Sequence, residues 1–368
     1  MKSLRSFLIT LGTFIACLPM AGLLTSCDVH ELPDIDYGEV PFTLNLQYEG
    51  EMPLYQEITY TRSGEPAEAP SLRQTHQVRY LINVYPRGAS ALNRTRVDNL
   101  CVKSFCFTSD IGNTLDKTVT VDLPEGEWDI YVWTDFVDRG STRDKYYDTS
   151  DWSNITYPDR RDYSGDNPAR EAYRGMTAAT VSHPYRYLES EPKPDNSATV
   201  WNVRPMARYE FISTDVEEFI KQMSKAGALE GSPENGDSNA PSISPADLAK
   251  YRVVFRYTTF MPSVYDIFQD KPIDSWTGMY YESALELTSE GIRLGFDHVF
   301  INGSESIVNV RAEVYNERGE MIASTPSIEV PVVRGKYTTV KGEFLTSVGD
   351  GGVSVSPGFD GEYNIEIK

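Results

Sequence analysis

Between Val40 and Tyr48 apolar and polar side chains alternate without a break. Val40, Phe42, Leu44, Leu46 and Tyr48 fall on one side, with Pro41, Thr43, Asn45 and Gln47 between them. Successive residues of a strand point to opposite faces, so this period of two predicts a strand with one face on a core. Strand-like runs recur at Val78–Tyr85, Leu100–Phe107, Lys117–Leu123, Thr177–Ser182 and Ser197–Val203. Pro124-Glu125-Gly126 reads as a tight turn, because proline presets φ and glycine accepts the left-handed position. The strand after it, Glu127–Phe136, carries Trp128, Ile130 and Val132 on one face and Tyr131 and Trp133 on the other. Bulk on both faces places that strand in the middle of the fold.

A second series follows Arg204-Pro205. It comprises Arg208–Ser213, Tyr251–Met261, Met279–Leu285, Ile292–Ile301, Ile307–Tyr315, Met321–Val333, Tyr337–Leu345 and Tyr363–Ile367. Val216, Phe219, Ile220 and Met223 are spaced for a helix, with Thr214 as its cap and Glu217 completing a capping box. A short helix is also expected at Pro168–Tyr173. Many short strands and few helices make the chain all-β, and about seven strands per half suggest two β-sandwiches, at 39–204 and 205–368. A chain of 368 residues is long enough for two such cores. Its 54 acidic and 34 basic residues give a net charge of −20, which repels phosphate backbones and excludes nucleic acid as a partner.

The first residues have a different character. Lys2 and Arg5 precede an 18-residue apolar run from Phe7 to Leu24, the bare minimum for a membrane span. Thr10, Thr13 and Pro19 weaken it as a span, and no basic stop-transfer cluster follows. This is the layout of a secretory signal over residues 1–26. Its end, Leu24-Thr25-Ser26-Cys27, resembles the lipobox of bacterial lipoproteins, in which small residues fit the peptidase cleft and the thiol accepts the lipid. Cys27 is therefore the expected lipidation site, palmitate included, and residues 27–38, with Asp28, Glu31, Asp34 and Asp36, an acidic tether.

Catalytic signatures are missing. His30, His76, His183 and His298 are isolated in sequence, and no H-E-x-x-H, G-x-S-x-G or C-x-x-C occurs. Gly335-Lys336 lacks the upstream glycine of a phosphate loop and reads as a turn before a strand. The expectation is a non-enzyme without cofactor or metal. Cys101 and Cys106 are open to two readings, free thiols or a local disulfide. The long polar stretch Asp138–Pro168 is the candidate recognition loop, through Tyr146, Tyr147, Trp152 and Tyr163. These rings would stack on sugars or press on a partner protein; packing the loop down is the alternative. Six aspartates in that loop (Asp144, Asp148, Asp151, Asp159, Asp162, Asp166) suggest Ca²⁺ or a solvated loop, without the D-x-[DN]-x-[DN]-G spacing. Tyr363, Ile365 and Ile367 alternate in a last strand suited either to exchange with another subunit or to closing its own sheet.

Four stretches carry a family resemblance. They are Asp122–Trp152 (DLPEGEWDIYVWTDFVDRGSTRDKYYDTSDW), Arg204–Phe219 (RPMARYEFISTDVEEF), Phe260–Pro272 (FMPSVYDIFQDKP) and Gly342–Ile367 (GEFLTSVGDGGVSVSPGFDGEYNIEI). Together they resemble fimbrillin-like outer-membrane lipoproteins of the Bacteroidales, a family of largely undescribed activity. The resemblance implies two tandem transthyretin-like (Ig-like) sandwiches on a lipid tether, surface-exposed at the outer membrane. It also implies a role as fimbrial subunit or anchor in adhesion, with other fimbrial subunits as partners. The alternative is a non-polymerising lipoprotein that binds surface glycans or proteins. Stalk subunits of that kind are cut after an arginine, for which Arg62 and Arg73 lie in a suitable loop.

Overall fold

The computed structural model describes residues 38–50, 58–60, 66–68, 72–89, 100–160, 163–225, 244–346, 353–357 and 363–367. The expected signal segment, Cys27, the expected tether before Gly38, and Arg62 lie outside the described residues. A seven-stranded sheet runs, in spatial order, β5 (Lys103–Ser109), β4 (His76–Pro86), β7 (Gly126–Asp138), β9 (Tyr173–Val181), β10 (Ser197–Val203), β1 (Glu39–Tyr48) and β6 (Lys117–Pro124). All its pairings are antiparallel except β1 with β10, which is parallel. In a flat sheet β1 would stand about 14 Å from β7, three strand spacings away. Instead, the Tyr48 hydroxyl lies 2.7 Å from Thr134 Oγ1, and the Tyr48 and Tyr80 rings sit edge to face. The sheet therefore rolls over on itself. Phe42, Leu44 and Leu46 from β1 share one dry core with Val78, Ile82 and Val84 from β4 and Ile130 and Val132 from β7.

The remaining strands form smaller sheets. Short β2 (Ile58–Tyr60) and β3 (Pro66–Glu68) pair with each other, and β8 (Ile155–Thr156) joins β13 (Phe260–Asp266) and β14 (Lys271–Thr277). A six-stranded sheet runs β16 (Glu286–Thr288), β17 (Gly291–Phe300), β11 (Met206–Ser213), β21 (Tyr337–Gly342), β23 (Tyr363–Ile367) and β22 (Val353–Pro357). A five-stranded sheet runs β15 (Tyr280–Ala284), β12 (Arg252–Tyr257), β18 (Glu305–Tyr315) and β19 (Met321–Ser324). The length of β18 lets its first half also pair with β20 (Ile328–Val333). The protein is thus almost entirely β, with short helices only. None among the described residues is long and apolar enough to cross a membrane.

β7 is covered on both faces, as its sequence requires. Ile130, Val132 and Phe136 enter the core of the rolled sheet. Tyr131 and Trp133 enter a second, larger core with residues such as Tyr209, Phe255, Leu294 and Val330. Residues 39–368 accordingly form one compact unit. Two local expectations are corrected. The helix begins at Val216 rather than behind a Thr214 cap: Phe219 N–H bonds the Asp215 carbonyl, and the Asp215 carboxylate accepts from the backbone of Leu345 and Thr346. A tertiary contact has taken the residue next to the expected cap. The strand expected from Leu100 starts at Lys103, which leaves Cys101 before it, and Cys101 and Cys106 are not joined to each other by a disulfide.

Gly165 packs face-on against the Tyr281 ring, where a Cβ would overlap the ring carbons. Gly165→Ala is expected to lower stability by about 1–3 kcal/mol, the usual range for overpacking, read as a lower midpoint in urea unfolding.

Candidate functional site

The 138–168 segment is fastened to the rolled sheet by neighbouring side chains of β4. Gln77 donates to the Ser141 carbonyl at 2.8 Å. Buried Arg79 donates to both oxygens of buried Asp135, to the Thr142 carbonyl and to Asp144. His76 meets the Tyr146 hydroxyl at 2.7 Å. These bonds explain the fate of the candidate recognition rings. Tyr147, Trp152 and Tyr163 are buried, and Tyr146 is half-buried. Tyr147 meets Trp133 edge-on, and Tyr163 meets Tyr157 edge-on. The loop's aromatics are core, so the sugar or partner surface expected from Tyr147, Trp152 and Tyr163 is replaced by the packing alternative.

Its aspartates act as local acceptors. Asp148 takes the Ser150 N–H and hydroxyl, and Asp151 takes those of Ser153. Asp144 takes Arg79 and Thr149. Among the described residues no group of three or more His, Cys, Asp or Glu is placed to hold a metal ion. Arg73 lies in a helical turn, Leu72–Thr75, and donates to Gly112 O and Asn113 Oδ1. β23 lies between β21 and β22, hydrogen-bonded to both.

The polar node that sequence reading missed lies where this loop ends. Arg170, the last residue of the turn Pro168–Arg170, forms a buried ion pair with Asp297 on β17. The Asp297 carboxylate also accepts the Tyr163 hydroxyl at 2.5 Å, the Tyr257 hydroxyl at 2.6 Å and the His298 N–H at 2.8 Å. Tyr209 OH extends the chain to Tyr257 at 2.9 Å. The Arg170 guanidinium lies over the Tyr163 ring, 4.1 Å from its centroid. Burial opposes both charges and pushes the Asp297 carboxyl above the usual carboxylate range, against the pull of Arg170 and the tyrosine donors. In sequence Arg170 and Asp297 are 127 positions apart, and neither carries a motif.

The opposite face of β17 and β11 borders an open pocket. Arg208 pairs with His298, and Tyr209 with Asp297, so period two sends Tyr209 and Asp297 into the buried node and Arg208 and His298 to the other side. There they form the floor of an open pocket of about 500 Å³ with Met206, Ala207 and Glu210. Arg204 and Glu171 make one wall, and the Gly335–Tyr337 turn makes the other. Arg204 is fixed by Glu171, by Tyr173 OH at 2.8 Å and by Glu49 O at 2.9 Å. Arg208 donates to Glu210 at 3.0 Å. Gly335, at φ +70, makes the turn that brings Lys336 and Tyr337 to the rim. His298 is 7% exposed, and its Nδ1 has no hydrogen-bond partner among the described residues. Burial, then Arg208, Arg170 and Arg204, hold its imidazole well below the ordinary histidine value, so it is neutral.

Fold and pocket together define a β-rich protein with a preformed polar pocket. The model of a family of unknown function (DUF6562) matches residues 35–368, and the chain belongs to that family. No curated protein matches it. Among solved structures it is similar to the fimbrial anchor protein Mfa2 from Porphyromonas gingivalis, at 9% identity and a TM-score of 0.38, covering 77% of this chain and 82% of that one. An adhesin candidate from Bacteroides thetaiotaomicron gives 9% identity and a TM-score of 0.38, covering 84% and 93%. The tip fimbrial protein Mfa3 from Porphyromonas gingivalis gives 12% and 0.34, covering 80% and 81%.

Asp297→Asn leaves the buried Arg170 without its counter-charge and is expected to destabilise the fold by about 3–5 kcal/mol in chemical unfolding. The depressed value of His298 sets a second expectation. Below the ordinary histidine value of 6.5 the unfolded chain binds a proton that the folded chain refuses, so stability falls as pH falls. Thermal melting at pH 7.5 and 5.5 is expected to show a smaller acid-induced drop for His298→Asn than for the natural chain.

Proposed function

We propose that this chain is a surface-exposed, lipid-anchored binding protein that acts in adhesion without polymerising. The observation that carries this reading is the pairing of the strands that an exchange mechanism would have to move. β23 is hydrogen-bonded on one side to β21 and on the other to β22, and β1 lies between β10 and β6. A strand bonded along both edges offers no open edge to a second subunit, and withdrawing it would expose two ladders of backbone groups. The open pocket on β11 and β17 supports a binding role instead.

Anchorage belongs to the same proposal. The order Leu24-Thr25-Ser26-Cys27 and the acidic residues after it support a lipid on Cys27 and outward display from the outer membrane. Within the one compact unit of residues 39–368, the proposed division is into two sandwiches near Arg204-Pro205, each of the transthyretin-like kind. No strand of the seven-stranded sheet comes from beyond Val203, which supports the division. The second reading, a fimbrial subunit or anchor, rests on the resemblance of the four sequence stretches. It would require β23, with Tyr363, Ile365 and Ile367, to leave its place, or processing at Arg62 or Arg73.

Cys27→Ala is expected to move the protein from the membrane to the soluble fraction and to abolish labelling with radioactive palmitate. Unchanged partition would remove the lipid anchor from the proposal. Cells lacking the protein are expected to keep filaments of unchanged number, length and attachment in electron micrographs. A loss of filaments would favour the fimbrial reading.

A further inference from the structure

We propose that the pocket on the β11–β17 face binds a neutral, hydroxyl-rich sugar residue. His298, Arg208 and Glu210 would receive its hydroxyl groups on the floor, and Tyr337 would cover a sugar face at the rim. The proposal names a ligand class for the surface-binding reading above and rests on it.

The first argument is the size and placement of the pocket. At about 500 Å³ it falls within the range of small-molecule sites, and its walls are held before any ligand arrives. Glu171, Tyr173 and Glu49 O fix Arg204, while Glu210 bonds Arg208. The second argument is charge. The lining carries Arg204, Arg208 and Lys336 against Glu171 and Glu210. Glu49 completes the balance at the edge, where its carboxylate accepts the Arg204 N–H and lies close to Gly335. Two of these cations are paired, Arg204 with Glu171 and Arg208 with Glu210. A strongly charged ligand would have to break those pairs. A hydroxyl group both donates and accepts, so it can bridge a paired guanidinium and carboxylate without separating them.

The third argument is His298. His298 lines the pocket, its Nδ1 is buried and has no partner among the described residues, and a buried polar atom left unpaired costs roughly 1–3 kcal/mol. A neutral imidazole offers one donor and one acceptor, which again suits a hydroxyl. Finally, the Tyr337 ring is 43% exposed beside this polar floor, placing an aromatic face where the C–H side of a sugar can rest.

The test is saturation-transfer NMR on the full-length chain in detergent micelles. The probes are the methyl glycosides of galactose, mannose and N-acetylglucosamine, with glucuronate, acetate and a short neutral peptide as comparison arms. At least one neutral glycoside is expected to bind, and His298→Phe and Tyr337→Ala are each expected to weaken it at least about tenfold. Lys221→Ala, an exposed change on the Val216–Lys225 helix and outside the pocket lining, is expected to leave glycoside binding unchanged. Unchanged melting of Tyr337→Ala and Lys221→Ala separates lost binding from lost folding. Silence from every glycoside overturns the proposal. So does binding that survives both His298→Phe and Tyr337→Ala, binding confined to glucuronate and acetate, or binding confined to the peptide. Because the measurement does not depend on Cys27, its failure is distinct from a failure of the membrane-anchoring test.

Discussion

The ion pair between Arg170 and Asp297 joins parts of the chain that are far apart in sequence, and much of the architecture follows from it. Arg170 ends the long segment that leaves the rolled sheet at Asp138, and Asp297 sits in the middle of β17. Two charges inside an apolar core are tolerated only when each has its full set of partners. Tyr163, Tyr257 and the backbone of His298 supply those partners to Asp297. Meeting that requirement brings the loop and β17 together in one geometry. Nearby, Asp166 reinforces the same alignment by exchanging hydrogen bonds with the backbone of Phe296.

The pocket is the other side of that arrangement. With Tyr209 and Asp297 committed to the buried node, alternation along β11 and β17 leaves Arg208 and His298 on the opposite face. Arg204, pinned through Glu171 and Glu49, then closes the space from the β10 side, and Arg334 holds the Arg204 carbonyl from below the Gly335 turn. A structural interaction on one face thus positions a set of polar groups on the other, and it does so through rigid strands rather than loops.

Much of the local structure was legible in the residues. The alternation from Val40 to Tyr48 gave β1, and the two-faced pattern of Trp128–Trp133 placed β7 between two cores because every large apolar side chain must find cover. Ser197–Val203 is a strand with the bounds its pattern suggested. The loop aromatics were ambiguous because a tyrosine beside aspartates reads the same whether it faces solvent or a core. Only the bonds from Gln77 and Arg79 decide which. The helix cap was misplaced for a related reason. Asp215 is a good capping residue by type, yet its carboxylate is held by Leu345 and Thr346, a long-range contact with no local trace.

The sequence by itself determined the elements of this protein: its β-strands, its turns, the two-sided burial of β7 and the order Leu-Thr-Ser-Cys at the end of an apolar run. These are local properties, set by side-chain period, backbone preference and residue order. Tertiary structure alone decided that the first sheet rolls over, that the loop's rings are core, and that Arg170 meets Asp297. It also left the Nδ1 of His298 buried and unpaired among the described residues, beside paired charges. Each of these depends on which distant side chains arrive at the same place, and burial converts that placement into a requirement for specific polar partners.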